Sequence, residues 1–302
     1  MKHKLLALTL IFLMIFPLMG CWDKIEVEEL GYVAVIGIDK REDNFLDVTF
    51  RITNAQVGTS TKTTVDEPPH ATITLAATDI LSARELADTS ITRRLTFTHT
   101  VAIVVSEELA KSEEFYQILE PALRDVDLRE KINLIVSREK ASDFIRRNSP
   151  QLETRPGKFY DFMSERWRES GIVPQSNLHR FIQRTEDNTS AYMAIYATCK
   201  DVPSNIVSDS NFDYIAGEVP KKSANPTQMI GSAIFREGKM VSSITGEETR
   251  LALLLRPKSE LHRITMAFPD PMDERLKITG AISVRKKAKV KVDVSEGEPK
   301  YM

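Results

Sequence analysis

The side chains most able to do chemistry are few and scattered. The five histidines are His3, His70, His99, His179 and His262. None belongs to a His-Glu-x-x-His pair, and Cys199, alone in Tyr196-Ala197-Thr198-Cys199-Lys200, offers no zinc spacing. No Gly-x-Ser-x-Gly elbow, phosphate-cradling Gly-x-x-x-x-Gly-Lys or post-strand Gly-x-Gly-x-x-Gly occurs. His99 falls on one strand face with Leu95, Phe97, Val101 and Ile103. With no carboxylate or nucleophile placed beside it by sequence, it reads as a satisfied, mostly buried imidazole rather than a general base. Asp39, after Gly37-Ile38, has the position of a metal ligand at a strand end, but it reads more simply as ending the strand and closing a turn on its own backbone. Cys199 reads as a structural, half-buried thiol. The basic run Arg285, Lys286, Lys287, Lys289, Lys291 could meet anionic lipid, at about 1 kcal/mol per charge. Its alternation with Ala288, Val290 and Val292 favours the solvated side of an edge strand. Phe159, Met163 and Trp167 recur every fourth residue and read as core, not as a ligand cage. These patterns assign no catalytic, metal-binding or cofactor-binding residue.

The second cysteine carries a different chemistry. Lys2 and Lys4 precede an almost unbroken apolar run from Leu5 to Phe16. Twelve residues are too few for the ~20 that a helix needs to cross a bilayer, so the segment 1–20 reads as a secretory signal. It ends Leu18-Met19-Gly20-Cys21, which resembles a bacterial lipobox. In such signals a diacylglycerol is joined to the cysteine through a thioether before cleavage in front of it. Each buried methylene contributes about 0.8 kcal/mol, so two long acyl chains such as palmitate hold a protein stably where one is marginal. Cleavage removes Lys2 and Lys4, making the chain two charges more negative, and lipid on Cys21 leaves Cys199 as the one free thiol. No intramolecular disulfide is then expected.

The elements that follow are a mixture. Tyr32–Ile38 reads as a buried strand, and Leu46, Val48, Phe50 and Ile52 alternate with Asp47, Thr49 and Arg51 as a half-buried one, joined by the polar turn Asp39–Phe45. A long surface loop is expected from Thr53 to His70, then a short strand over Ala71–Ala76. Helical spacing marks Thr78–Arg93, a stretch opened by Ser106-Glu107-Glu108, Ala141–Arg147, a helix opened by Pro156-Gly157, and Leu178–Thr185. Leu95–Val105 and Ile132–Val136 read as strands. Polar, proline-containing sequence from Asp201 to Thr227 reads as a linker or small irregular subdomain. Then come strands over Met229–Phe235 and Met240–Ile244, a short helix over Glu247–Leu255, and strands over Leu261–Phe268, Leu276–Val284 and Ala288–Val294. The fold class is α+β: multi-domain, with mixed sheets flanked by helices. The expected division is a lipoprotein signal peptide over 1–20, an N-terminal α+β domain over 21–200, the irregular stretch 201–228, and a β-rich C-terminal domain over 229–302. A domain ending on a fresh hairpin exposes a strand edge, so the last unit reads as incomplete.

With 302 residues the chain has room for about two domains of roughly 150 residues. Lys and Arg total 41 against 43 Asp and Glu, a net charge of −2, which excludes a dominant nucleic-acid-binding surface. A composition of 42% hydrophobic and 28% charged residues excludes both a disordered chain and a multi-span membrane protein.

Three stretches together resemble the Ger(x)C family, the lipoprotein C subunits of spore germinant receptors. The first is Gly20-Cys21-Trp22-Asp23-Lys24-Ile25-Glu26 through Leu30-Gly31-Tyr32-Val33, closing on Gly37-Ile38-Asp39. The second runs from Arg94-Leu95-Thr96-Phe97-Thr98-His99 to Leu109-Ala110, with Leu123-Arg124-Asp125 and Arg129. The third is Gly231-Ser232-Ala233-Ile234-Phe235 with Gly238-Lys239 and Gly246-Glu247-Glu248-Thr249. Two departures stand out: Arg250-Leu251 replaces a glycine common near the start of that helix, and family members run longer. The resemblance implies a subunit without enzymatic activity, of mixed α+β domains. It implies attachment by lipid on Cys21 to the outer face of the spore's inner membrane, with Trp22 and Asp23 beside the membrane, where an indole prefers the headgroup level. It implies assembly with integral-membrane A and B subunits into a nutrient receptor, with no cofactor and no nucleic acid. Direct binding of the germinant by this subunit is not implied. Two other readings compete. A solute-binding lipoprotein of a transporter needs two lobes around a cleft, which the β-rich sequence after Met229 disfavours; a surface-anchored hydrolase needs a nucleophile–base pair, which is not visible.

Overall fold

The apolar run Tyr32–Ile38 forms the middle of β1 (Leu30–Lys40), and its continuous hydrophobicity has a simple cause: β1 is central to a sheet covered on both faces. The protein is represented by a computed structural model that describes residues 2–5, 26, 29–53, 70–125, 127–129, 131–153, 155–187, 191–200, 213–256, 261, 263–273, 276–283, 292–293 and 300–301. The further strands of the sheet are β2 (Leu46–Thr53), β3 (His70–Ala77), β4 (Arg94–Thr96), β5 (Ala102–Ser106), β6 (Asn133–Ser137), β7 (Tyr192–Thr198), β8 (Gln228–Arg236) and β9 (Lys239–Ile244). The spatial order is β3-β2-β1-β5-β6-β7-β8-β9, with β4 also pairing β1. β1, β5, β6 and β7 run parallel, while β2–β3 and β8–β9 extend the two sides antiparallel. The result is the α+β architecture with a mixed sheet that the element pattern predicts.

Strand periodicity divides the core into two layers. Ile36, Ile38, Ile103, Val105, Leu134 and Val136 point to one face. There they meet α1 (Ile80–Asp88), α2 (Glu107–Ala110), α3 (Phe115–Leu119) and α6 (Leu178–Asp187). Val35, Val104, Ile135 and Ile195 point to the other, against α4 (Ala141–Arg147) and α5 (Pro156–Ser170). α1 starts where Asp79 accepts from the Leu81 and Ser82 backbone N–H groups (2.8 and 2.9 Å), and α5 starts on Pro156, whose missing N–H costs nothing at a first helical position.

Three expectations need correction. Leu95–Val105 is not one strand: from Thr96 to Ala102 the chain takes six steps while β1 takes three, from Tyr32 to Val35. The excess loops out through a turn in which Thr100 N–H donates to the Phe97 carbonyl (2.9 Å) and the Thr100 hydroxyl to that of Val33 (2.9 Å). The helical stretch after Ser106 breaks into α2, α3 and a 3-10 turn over Glu120–Arg124, with Pro121 at the start of that turn. β7 has no counterpart in the sequence reading, although every one of its seven residues is buried. Except for its end residues, the loop expected over Thr53–His70 lies outside the described residues, as does the basic run Arg285 to Lys291.

The sheet continues past residue 229, because β8 pairs with β7 from Tyr192↔Phe235 to Thr198↔Gln228. The β8–β9 turn is tight: Glu237 and Gly238 both have positive φ (51° and 80°), which fits the right-handed twist of a two-residue hairpin. α7 (Gly246–Leu254) follows, capped by Thr245 and Glu248 in a reciprocal pair. Its Arg250, only 6% exposed, donates to the Ser170 carbonyl at the end of α5 (3.0 Å), to Glu247 (2.6 Å) and to the Thr265 carbonyl (2.9 Å). Thr265 lies in β10 (Arg263–Pro269), which forms a separate hairpin with β11 (Lys277–Ser283). This arginine thus ties the hairpin to the helices. Two short strands, β12 (Val292–Asp293) and β13 (Lys300–Tyr301), pair with each other.

Candidate functional site

The Gly37-Ile38-Asp39 segment of β1 lies under α4. A Cβ on Gly37 would stand 2.6 Å from Ile145 Cδ1 and 3.3 Å from Thr49 Cβ, so the missing side chain is what lets the helix approach the sheet. Two residues on, the Asp39 carboxylate is 2% exposed and accepts from the N–H groups of Ala141 (2.6 Å) and Ser142 (3.0 Å). The turn-closing role expected for Asp39 is therefore corrected. Asp39 caps a helix about a hundred residues further along, where an acid opposes the positive end of the helix dipole.

The far end of α4 is held by Arg51 of β2, paired in register with Val35. Its Nη1 donates to the carbonyls of Ile145 (2.7 Å) and Asn148 (2.8 Å), and its Nη2 to His70 Nε2 (3.0 Å). The pattern of β2 suggested a solvated polar face, yet Thr49 and Arg51 are buried because α4 covers that face. Burial lowers the Arg51 pKa from its ordinary value, and burial together with the adjacent guanidinium lowers that of His70.

Polar contacts continue outward from this helix. Asn148 Oδ1 accepts from Asn225 Nδ2 (3.1 Å) and from the Thr227 hydroxyl (2.9 Å). Cys199, fully buried, contacts Thr227 Oγ1 (3.0 Å) and the Phe144 carbonyl (3.5 Å), while its backbone N–H donates to Glu139. Burial pushes the Cys199 thiol up to about 12, which leaves no thiolate for attack at neutral pH. These carboxylate, guanidinium, amide and thiol groups, with Asn148 Nδ2 donating to the Tyr160 hydroxyl of α5 (3.3 Å), join β1, β2, α4, α5, β7 and the strand β8 that follows Thr227.

The other candidate residues are dispersed. His99 sits in the loop between β4 and β5, exposed and not buried as expected, with Tyr32 edge-on at 4.7 Å and Thr98 Oγ1 3.1 Å from its Nδ1. Partial burial and then Arg129 lower its pKa, and among the described residues no carboxylate is hydrogen-bonded to it. Phe159, Met163 and Trp167 pack in the second core layer, as their spacing predicts. Cys21, Trp22 and Asp23 lie outside the described residues. Among the described residues no group of three or more His, Cys, Asp or Glu is placed to hold a metal, and no helix is long and apolar enough to cross a membrane. The sequence reading missed Arg51, Asn148 and Tyr160, because nothing local distinguishes a buried arginine or asparagine from a solvated one. An open cleft of about 510 Å³ beside α5, bordered by Lys131, Asp161, Glu165, Arg168 and Arg180, is polar and of mixed charge.

Fold and site define an α+β scaffold whose buried polar groups fasten helices to a mixed sheet. The family described as "Spore germination protein N-terminal domain" matches residues 23–198, and that described as "Spore germination B3/ GerAC like, C-terminal" matches residues 230–302. The chain belongs to this spore germination family, the Ger(x)C family its sequence resembles. Spore germination protein KC of Bacillus subtilis is 28% identical over 195 residues, covering 63% of this chain and 48% of that protein. The putative spore germination protein YfkR of the same organism is 22% identical over 281 residues, 91% of this chain and 67% of its own length. Spore germination protein B3 is 26% identical over 143 residues, 47% of this chain and 37% of its length. The chain thus spans under half of two of these relatives. Among solved structures, the crystal structure of the GerBC protein is similar with a TM-score of 0.45 and 18% identity, over 91% of this chain and 70% of that one.

Proposed function

We propose that the chain acts in spore germination as the lipid-anchored C subunit of a nutrient germinant receptor, a non-catalytic assembly and signalling part. In this reading the signal peptide ends before Cys21, whose acylated sulfur inserts in the bilayer. Trp22 and Asp23 lie beside the headgroups on the outer face of the spore's inner membrane. Integral-membrane A and B subunits are the partners. The observation that carries the reading is the pair of family matches over 23–198 and 230–302, together with the lipobox Leu18-Met19-Gly20-Cys21 directly before the first. The ends of the two matches also support a division between an N-terminal domain over 21–200 and a C-terminal one over 229–302. The pairing of β7 with β8 makes the two share one sheet.

Two long acyl chains exceed the affinity of one by the additive contribution of their methylenes, so loss of the sulfur should release the protein completely. The test is Cys21→Ala in the spore: the expected result is loss of the protein from the inner-membrane fraction and loss of nutrient-triggered germination. A tagged parent chain should co-purify with two polytopic membrane proteins. A Cys21→Ala protein that stays in the membrane and supports full germination would refute the reading.

A further inference from the structure

A lipid on Cys21 sets an orientation as well as an attachment. Leu30, where β1 begins, is nine residues after Cys21, a stretch that spans at most about 30 Å. The end of the sheet at which β1 begins is therefore the end held toward the bilayer. β4, β5 and β6 run parallel with β1 and start from the same side: Leu30 pairs with Arg94, Val35 with Ala102, and Ala102 in turn with Asn133. Arg129 and Lys131 directly precede β6. Arg129 acts electrostatically on His99, whose ring meets that of Tyr32 in β1 at 4.7 Å.

The two ends of the sheet differ in charge. Where β1 begins, Arg94, Arg129 and Lys131 are all exposed. The neighbouring acids Asp125 and Asp127 pair with Arg84 (3.0 and 3.7 Å), and Asp88 accepts from the Leu95 N–H (3.0 Å). Glu29, just before β1, is an exposed acid that subtracts from this patch. Where β1 finishes, the cations are in ion pairs. Lys40 meets Glu114 (3.6 Å), Arg41 meets Asp43 and Asp47 (3.1 and 3.2 Å), and Lys111 meets Glu107. Glu42 and Glu108 add exposed negative charge there. An anionic surface attracts the first end and repels the second, and each cation held near such a surface raises affinity about fivefold.

We propose that the end of the sheet where β1 begins docks on anionic phospholipid, with Arg94, Arg129 and Lys131 meeting the headgroup phosphates. The acyl chains hold the protein at the membrane, and the basic end sets how its body stands there. This rests on the reading of Cys21 as the anchor, because the anchor decides which end faces the bilayer.

The test uses the mature chain carrying Cys21→Ser, so that no acyl chain contributes, in co-sedimentation with vesicles of phosphatidylglycerol or of phosphatidylcholine. Failure of docking is thereby read apart from failure of the anchor, which Cys21→Ala in the spore tests. Binding to phosphatidylglycerol should exceed binding to phosphatidylcholine and should vanish near ~1 M salt, where the screening length falls to about 3 Å. Arg94→Ala, Arg129→Ala and Lys131→Ala should each weaken it about fivefold, and the three together about a hundredfold. Lys40→Ala, Arg41→Ala and Lys111→Ala combined remove the same charge from the opposite end and should leave the affinity unchanged. Equal binding to the two lipids would assign the basic end to a protein partner and overturn the proposal. Equal losses from the two triple variants would overturn it too, by making net charge the cause, as would a binding carried by Lys286 and Lys287 instead. If a triple variant fails to fold, the single substitutions decide it.

Discussion

Replacing Asp39 by alanine tests how α4 is held. The carboxylate accepts from two backbone N–H groups, at 2.6 and 3.0 Å, in a place with 2% exposure. In Asp39→Ala both donors lose their partner, and Ala141 and Ser142 are themselves buried, so water cannot readily take its place. Each unsatisfied buried donor costs about 1–3 kcal/mol, and N-cap removal measured elsewhere costs about 0.5–2 kcal/mol. Relief of the carboxylate's dehydration offsets part of this loss. The net expectation is a destabilisation of about 2–4 kcal/mol. Asp39→Asn retains one acceptor oxygen but turns an NH₂ toward the second donor, so it should also destabilise. The assay is urea unfolding of the full chain read by fluorescence, combined with amide exchange over residues 141–147. Trp167 serves as an internal reporter because it is buried in the same core layer as α4. A loss below about 0.5 kcal/mol, the range of ordinary surface substitutions, would refute the account. So would a loss of exchange protection that spares α4.

Further outcomes follow from the same geometry. Gly37→Ala should destabilise by about 1–3 kcal/mol through overpacking, and Ile145→Val should recover part of that by shortening the side chain whose Cδ1 lies 2.6 Å from the added Cβ. Strict additivity of the two in a double-mutant cycle would show that they do not meet. Burial and then Arg51 depress the His70 pKa, so the folded imidazole stays neutral while the unfolded one, at about 6.5, takes a proton. The unfolded state therefore binds more protons as pH falls, and stability should drop below about pH 6.5 until the folded ring also titrates. His70→Gln, which can still accept from Arg51, should flatten that slope in unfolding curves between pH 7 and 5. In a Cys21→Ser chain, Cys199 should resist a thiol reagent at pH 8 until urea unfolds the protein, because burial raises its thiol to about 12. Prompt native-state labelling would contradict its burial.

Much was legible in the sequence because it depends on neighbours a few residues apart. The apolar run of β1, the Ser106 cap, the boundaries of α4, the proline start of α5 and the β8–β9 hairpin all follow from period, cap and turn chemistry. So does the family, since the Gly-Ile-Asp signature and its companions are linear strings. Tertiary structure alone decided what that signature does. Gly37 and Asp39 meet a helix that starts at Ala141, and Arg51 closes its other end, contacts that no local spacing encodes. The same cause explains the errors. β2 looked half-solvated because its alternation is real, but a helix distant in the chain covers the polar side. Leu95–Val105 looked continuous because a looped-out turn preserves the alternating pattern while breaking the ladder. Which polar group is buried, and against what, is set by long-range packing, and a sequence read locally carries only the chemistry that packing then places.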